Sequence, residues 1–164
     1  MDAQPIWRDY IYGYKEDTMP LLNDKIQGQV RKTLEDMAGP VKLAMFTQSS
    51  EALECEMCGE TRGLLEEIAA LAPAGKLSVE VHDFLTDADV KASYKIDKIP
   101  AIAVVGAKDY GIRLYGIPAG YEFSSLMDDI LAVSKGESGL SSATKAALAR
   151  VNQPIHIQVY VTPT

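Results

Sequence analysis

The residues with the clearest chemical potential are two cysteines separated by two residues, in the run Cys55-Glu56-Met57-Cys58. Cysteines at this spacing lie close enough to form a disulfide with little backbone movement. In such a pair the leading thiolate attacks a disulfide of a partner, and the second thiol resolves the mixed disulfide. The spacing therefore predicts thiol–disulfide exchange, with Cys55 as the nucleophile and Cys58 as the resolving thiol.

The local sequence acts on the Cys55 thiolate in two opposite ways. A helix predicted from Gly59 to Ala72 would place its positive N-terminal end beside Cys55, which favours a thiolate. Acidic residues surround the pair and disfavour a thiolate by charge repulsion: they are Glu51, Glu54, Glu56 and Glu60. We expect the acidic surroundings to make this pair less oxidising than a glutaredoxin pair. If Ser49 or Ser50 capped an earlier helix start, Cys55 would instead lie within the helix.

Other uses of the two cysteines remain open at this stage. A zinc site within one chain is disfavoured, because the only further soft ligands, His82 and His156, do not have zinc-finger spacing from the pair. A metal or cluster shared between two chains is one alternative. Two inert, buried cysteines are another. The two histidines themselves are interpreted as packing or surface residues.

Hydrophobic periodicity predicts the elements that position the pair. A first helix is expected at about 21–38, and from residue 41 onward the order is β-α-β-α-β-β-α. The strands are predicted at Val41–Phe46, Leu77–Phe84, Ala101–Val105 and Gly111–Tyr115, and the helices at 59–72, 87–94 and 121–134. This order predicts an α/β fold in three layers, with a mixed central sheet covered by helices on both faces and one extra N-terminal helix.

The composition changes after Lys135, where a run of small polar residues indicates a linker. A short helix at about 143–151 and an alternating strand at Ile155–Val161 are predicted beyond it. We therefore expect one unit over 1–135, and a linker, helix and first strand of a further unit over 136–164.

Composition restricts the classes of function. The net charge is −7 at pH 7, from 16 basic and 23 acidic residues, and no basic stripe is present, so nucleic-acid binding is not expected. No apolar run approaches the roughly 20 residues of a membrane span. The N-terminus lacks the basic start and apolar run of a secretory signal, so a cytoplasmic protein is expected.

Three segments together resemble the protein disulfide oxidoreductases, also called glutaredoxin-like proteins, of the thioredoxin-like superfamily. They are Cys55-Glu56-Met57-Cys58, Lys98-Ile99-Pro100-Ala101 and the run Tyr115-Gly116-Ile117-Pro118-Ala119-Gly120-Tyr121-Glu122-Phe123. The resemblance implies a thioredoxin-like fold and a role in cell redox homeostasis. It also implies a cis Pro100 that, with Ile99, faces the cysteine pair and holds the backbone of a protein substrate. It implies no organic cofactor, and electrons from a thioredoxin-reductase-like flavoenzyme or from small thiols.

Members of this family carry two thioredoxin-like units in tandem, and residues 154–164 resemble the first strand of the second one. Two other functions stay open. The first is an N-terminal electron-relay module of an alkyl hydroperoxide reductase flavoprotein, although the first unit of those proteins generally lacks cysteines. The second is a structural or dimerisation unit without catalysis, which would form a homodimer through the C-terminal strand. The predicted first strand contains no acid resembling the buried aspartate of thioredoxins, so no base is assigned.

Overall fold

A buried central strand, β1 at Val41–Thr47, organises the molecule. The computed structural model describes residues 20–48 and 54–160. Within them the other strands are β2 at Leu77–Asp83, β3 at Ala101–Val105 and β4 at Asp109–Tyr115. The sheet order is β2-β1-β3-β4, with β2 parallel to β1 and with β3 antiparallel to both β1 and β4. The predicted mixed sheet and the β3–β4 hairpin are confirmed.

Helices cover both faces of the sheet, as the sequence predicts. The described helices are α1 at Asp24–Leu34, α2 at Cys58–Leu71, α3 at Ala88–Tyr94, α4 at Tyr121–Lys135 and α5 at Ser142–Leu148. Leu43 and Met45 of β1 point to the face covered by α1, α2 and α4, whereas Phe46 points to the face where α3 supplies Val90 and Tyr94. The alternation of strand side chains thus divides the core into two layers.

The first helix is shorter than predicted. The sequence pattern suggested 21–38 with Pro20 at its start, but α1 begins at Asp24 because the Asn23 side chain accepts a hydrogen bond from the Ile26 N–H at 3.0 Å. A capping side chain at this position satisfies an amide that has no partner within the helix. The other element boundaries agree with the prediction to within about three residues.

The predicted strand at Ile155–Val161 is wrong for its described part. Residues 155–160 are exposed and form no strand, and α5 before them has no buried residue. An alternating sequence becomes a strand only when a neighbouring strand accepts its backbone hydrogen bonds, and none does so in the described chain. The division of the chain into residues 1–135 and 136–164 stays a prediction.

One carboxylate of α2 binds the segment that precedes α1. Glu67 accepts the N–H of Leu21 at 2.7 Å and the N–H of Leu22 at 3.0 Å. A carboxylate that accepts two backbone hydrogen bonds forms stronger bonds than a neutral acceptor does. This contact fixes where the chain enters α1 above the middle of α2.

Replacing Glu67 by Gln should lower the free energy of unfolding by about 1 kcal/mol, since the amide keeps only one acceptor oxygen and no charge. Urea unfolding of both proteins measures the difference. The matched control is Glu66→Gln, which removes an exposed pair with Arg62 and should cost less than about 0.5 kcal/mol. Equal losses in the two variants would show that Glu67 is not an anchor.

Candidate redox site

The two cysteines lie at the junction between the loop after β1 and the first turn of α2. They form a disulfide, with 5.5 Å between their Cα atoms. Cys58 is the first residue of α2, and Cys55 precedes the N-cap residue Met57. The alternative in which Cys55 lies within a helix is therefore wrong, and Ser49 and Ser50, which would have capped such a helix, lie outside the described residues.

The two sulfurs differ in how far they are exposed. Cys58 lies on the face of α2 that packs against the sheet and is 5% exposed, whereas Cys55 is only partly buried. Met57, which lies between them, is 42% exposed. Cys55 is thus the more accessible of the two residues to an incoming thiol or disulfide.

Hydrogen bonds hold the turn between the cysteines. The Cys58 N–H donates to the Cys55 carbonyl at 3.3 Å. One turn further on, the Met57 carbonyl accepts both the backbone N–H of Thr61 at 2.9 Å and its hydroxyl at 2.7 Å. The Thr61 side chain is fully buried. Sequence reasoning missed Thr61, although its place three residues after Cys58 puts it on the same helix face.

The structure places both a helix N-terminus and acidic side chains near Cys55, and these act in opposite directions on a Cys55 thiolate. Cys55 precedes the positive end of α2, which favours a thiolate. Glu54, Glu56 and Glu60 are exposed around it, so their charges are largely screened by solvent. Glu51 lies outside the described residues. Among the described residues every Asp and Glu is at least partly exposed, so this part of the chain offers no buried carboxylate as a base for Cys58.

Ile99 and Pro100 precede β3, at the end of the sheet where the cysteine loop follows β1. The Ile99–Pro100 peptide bond is cis, as the family resemblance implies. Pro100 is buried, and its carbonyl accepts the Gly116 N–H at 2.9 Å. The next residue, Ala101, pairs with Phe46 near the end of β1. Because β1 and β3 are antiparallel, the last residues of β1 and the first residues of β3 lie at the same end of the sheet. The cysteine loop and Pro100 are therefore at this end as well.

The charge beside Pro100 differs from that beside Cys55. The Lys98 ammonium lies 4.9 Å from the centre of the Tyr115 ring, a cation–π geometry. Burial raises the pKa of the Tyr115 hydroxyl, and the neighbouring Asp97 carboxylate raises it further. The Pro100 side therefore carries both a cation, Lys98, and a carboxylate, Asp97, whereas the described charges beside Cys55 are all carboxylates.

His82 lies on the face of the sheet opposite the one that α2 covers. His82 pairs with Phe46 in the sheet and stacks on its ring at 5.1 Å between centroids, on the face covered by α3. Its Nε2 atom lies 3.4 Å from a Glu80 oxygen and makes no hydrogen bond to any residue that the structure describes. His156 is exposed. No group of three or more metal-ligating side chains occurs in the part of the chain that the structure describes, and none of its helices is long and apolar enough to cross a membrane.

Reduced protein should be alkylated about tenfold faster at Cys55 than at Cys58, because Cys55 is the more exposed residue and lies just before a helix N-terminus. A short pulse of iodoacetamide followed by peptide mass mapping measures both rates. The same pulse in denaturant is the control and should label the two sites alike. Faster labelling of Cys58 in the folded protein would contradict the assigned roles.

Comparison with known proteins finds similarity among solved structures only. No family model matches the sequence, and no curated protein is significantly similar to it. Among solved structures, a protein disulfide oxidoreductase from Aeropyrum pernix is 32% identical, with a TM-score of 0.67 over 78% of this chain and 54% of that one. This match agrees with the resemblance inferred from the sequence.

A second match concerns the NTD N/C domain of the alkyl hydroperoxide reductase AhpF from Enterococcus faecalis. It is 24% identical, with a TM-score of 0.67 over 76% of this chain and 58% of that one. Identity at this level shows a shared fold and no more. The chain spans less than two thirds of the length of either structure. The two matches show that this chain has a thioredoxin-like fold, with its cysteine pair at the start of a helix. Over most of its own length the chain is similar to a protein disulfide oxidoreductase.

Proposed function

We propose that this chain is a thiol–disulfide oxidoreductase that exchanges the Cys55–Cys58 dithiol or disulfide with disulfides of proteins. The observation that carries the proposal is the asymmetric pair at the start of α2, with Cys58 buried and Cys55 partly accessible. An inert structural disulfide needs no accessible sulfur, whereas exchange does. The similarity to a protein disulfide oxidoreductase supports the same function.

The reaction proceeds in two displacements when the chain acts as a reductant. The Cys55 thiolate attacks one sulfur of the substrate disulfide, forms a mixed disulfide and releases the other sulfur as a thiolate. Cys58 then loses its proton and attacks the Cys55 sulfur, which releases the second substrate sulfur and leaves the Cys55–Cys58 disulfide. Two electrons have passed to the substrate. Running the same steps backwards oxidises a substrate dithiol.

Ile99 and Pro100 are proposed to hold the substrate backbone beside Cys55. Their place at the edge where the cysteine loop leaves β1 supports this role. The carbonyl of the buried proline accepts the Gly116 N–H, which fixes the position of this segment.

The reductant and the cellular context belong to the same proposal. We propose that a thioredoxin-reductase-like flavoenzyme or small thiols reduce the pair, that the protein works in the cytoplasm, and that it serves cell redox homeostasis. Residues 136–164 are proposed to lead into a second thioredoxin-like unit. The exposed Ile155, Ile157 and Val159 would then pack within that unit or, in its absence, pair with a sheet edge of a second copy.

An electron-relay role is compatible with the same chemistry. The shared fold with the AhpF domain permits a module that passes electrons from a flavoprotein to a further partner. Such a relay would use the Cys55–Cys58 pair in the same two displacements. The two roles differ in the partner, so a trapping experiment distinguishes them.

The Cys58→Ser variant should trap protein partners through Cys55, because the mixed disulfide can form but can no longer be resolved. The partners are separated on a non-reducing gel, released with dithiothreitol and identified by mass spectrometry. Several unrelated proteins would support a general oxidoreductase, whereas a single peroxidase-type partner would support the relay.

The matched control is Cys55→Ser, which keeps one thiol but should trap at most about a tenth as much, since Cys58 is buried. Equal trapping by the two variants would overturn the assignment of attacking and resolving thiols. No trapped protein with either variant would overturn the proposed exchange with proteins.

A further inference from the structure

An apolar pocket of about 410 Å³ lies between the start of α1, the middle of α2 and the loop that precedes α4. Its size falls within the range of pockets that take a ligand. The walls are mainly aliphatic and aromatic, and they include Leu21, Leu22, Ile26, Leu64, Ile117 and Phe123. Among the residues that the structure describes, none that lines the pocket is charged, so the pocket favours an uncharged, apolar occupant.

Two of the elements that line the pocket also lead to the redox site. Leu64 lies six residues after Cys58 on the same helix, which places it about 9 Å further along the axis. The loop that forms another wall follows Gly116, whose N–H is bonded to the Pro100 carbonyl at 2.9 Å. The pocket and the redox site are therefore connected through α2 and through the segment that Gly116 joins to Pro100.

We propose that the pocket binds an apolar side chain of the protein substrate, about three residues from the cysteine that reacts with Cys55. This inference rests on the proposed exchange with proteins. The Cα atom of Cys55 lies 5.5 Å from that of Cys58, so Leu64 is about 15 Å from Cys55 along this path. An extended chain advances about 3.3 Å per residue, so three residues cover about two thirds of that distance and the apolar side chain spans the rest. The pocket would thus select among disulfides according to the sequence that flanks them.

A substrate side chain suits the pocket better than a second copy of this chain does. A stable dimer buries about 1,200 Å² or more of surface, whereas this concavity admits a side chain or two. A short contact of that kind is expected of an enzyme that must release each product. Helix α2 and the loop after Gly116 also connect the pocket with the redox site.

The test uses disulfide-linked dimers of short peptides, in which each copy carries one cysteine and either Leu or Ser three residues away. Peptides with the variable residue before and after the cysteine are both made. Pre-reduced protein is mixed with each dimer, the reaction is quenched with acid, and the second-order rate constant is obtained from the masses. We expect one Leu peptide to react about tenfold faster than its Ser counterpart, since burial of one aliphatic side chain supports a preference of that order.

Two variants test whether the pocket causes the preference. Ala119 is exposed and lines the pocket, so Ala119→Trp should fill it and bring the ratio of rate constants close to one. Leu21→Ser, at a side chain that is 50% exposed, should reduce the ratio without a large change at the surface. The matched control is Ala147→Trp on the exposed helix α5, which should keep both the rates and the ratio.

The outcomes separate this inference from the function on which it rests. If no peptide disulfide reacts with wild-type protein, the proposed exchange itself fails. If the Leu and Ser peptides react equally fast, exchange stands and the pocket is not a substrate site. If Ala119→Trp alters the unfolding temperature or the oligomeric state but leaves the preference intact, the pocket holds part of this chain or of a second copy, and the inference is overturned.

Discussion

The start of α2 against β1 is the constraint on which the rest of the site depends. Because the buried face of α2 carries Cys58, Thr61, Leu65 and Ile68, packing of this face on the sheet fixes the depth of the second sulfur. The first sulfur then lies just before the helix, where Met57 begins the first turn. A helix that began one residue earlier or later would rotate the sulfurs by about 100° around its axis. The hydrophobic packing of α2 and the chemistry of the pair are therefore set together.

The direction of the strands supplies the other half of the site. β1 runs towards the cysteine loop, and β3 starts from Pro100 at the same edge because the two strands are antiparallel. The bond from Gly116 to the Pro100 carbonyl ties the end of β4 to this point, and the loop after β4 leads to the pocket beside α2. Residues that are far apart in sequence thus meet at one end of the sheet.

Much of this arrangement could be predicted from sequence, since it depends on local patterns. The order of elements, the hairpin around residue 107 and the loop-to-helix position of the cysteines follow from apolar periodicity and from glycine and proline. Features that depend on distant partners could not be predicted. The Glu67 anchor of Leu21 joins residues 46 positions apart, and the alternation at Ile155–Val161 resembles a strand although its described residues have no strand beside them. The start of α1 was misjudged because the Asn23 cap, rather than Pro20, decides it.

The most direct test of the central claim is a redox titration of the Cys55–Cys58 pair. The protein is equilibrated in a series of glutathione buffers, its free thiols are alkylated, and the products are counted by mass, with Cys55→Ser as control. The account predicts one reversible two-electron transition at about −200 to −300 mV, within the range of cellular dithiol exchange. A pair whose state does not change across the whole series would contradict it, and the chain would then be a structural unit rather than an oxidoreductase.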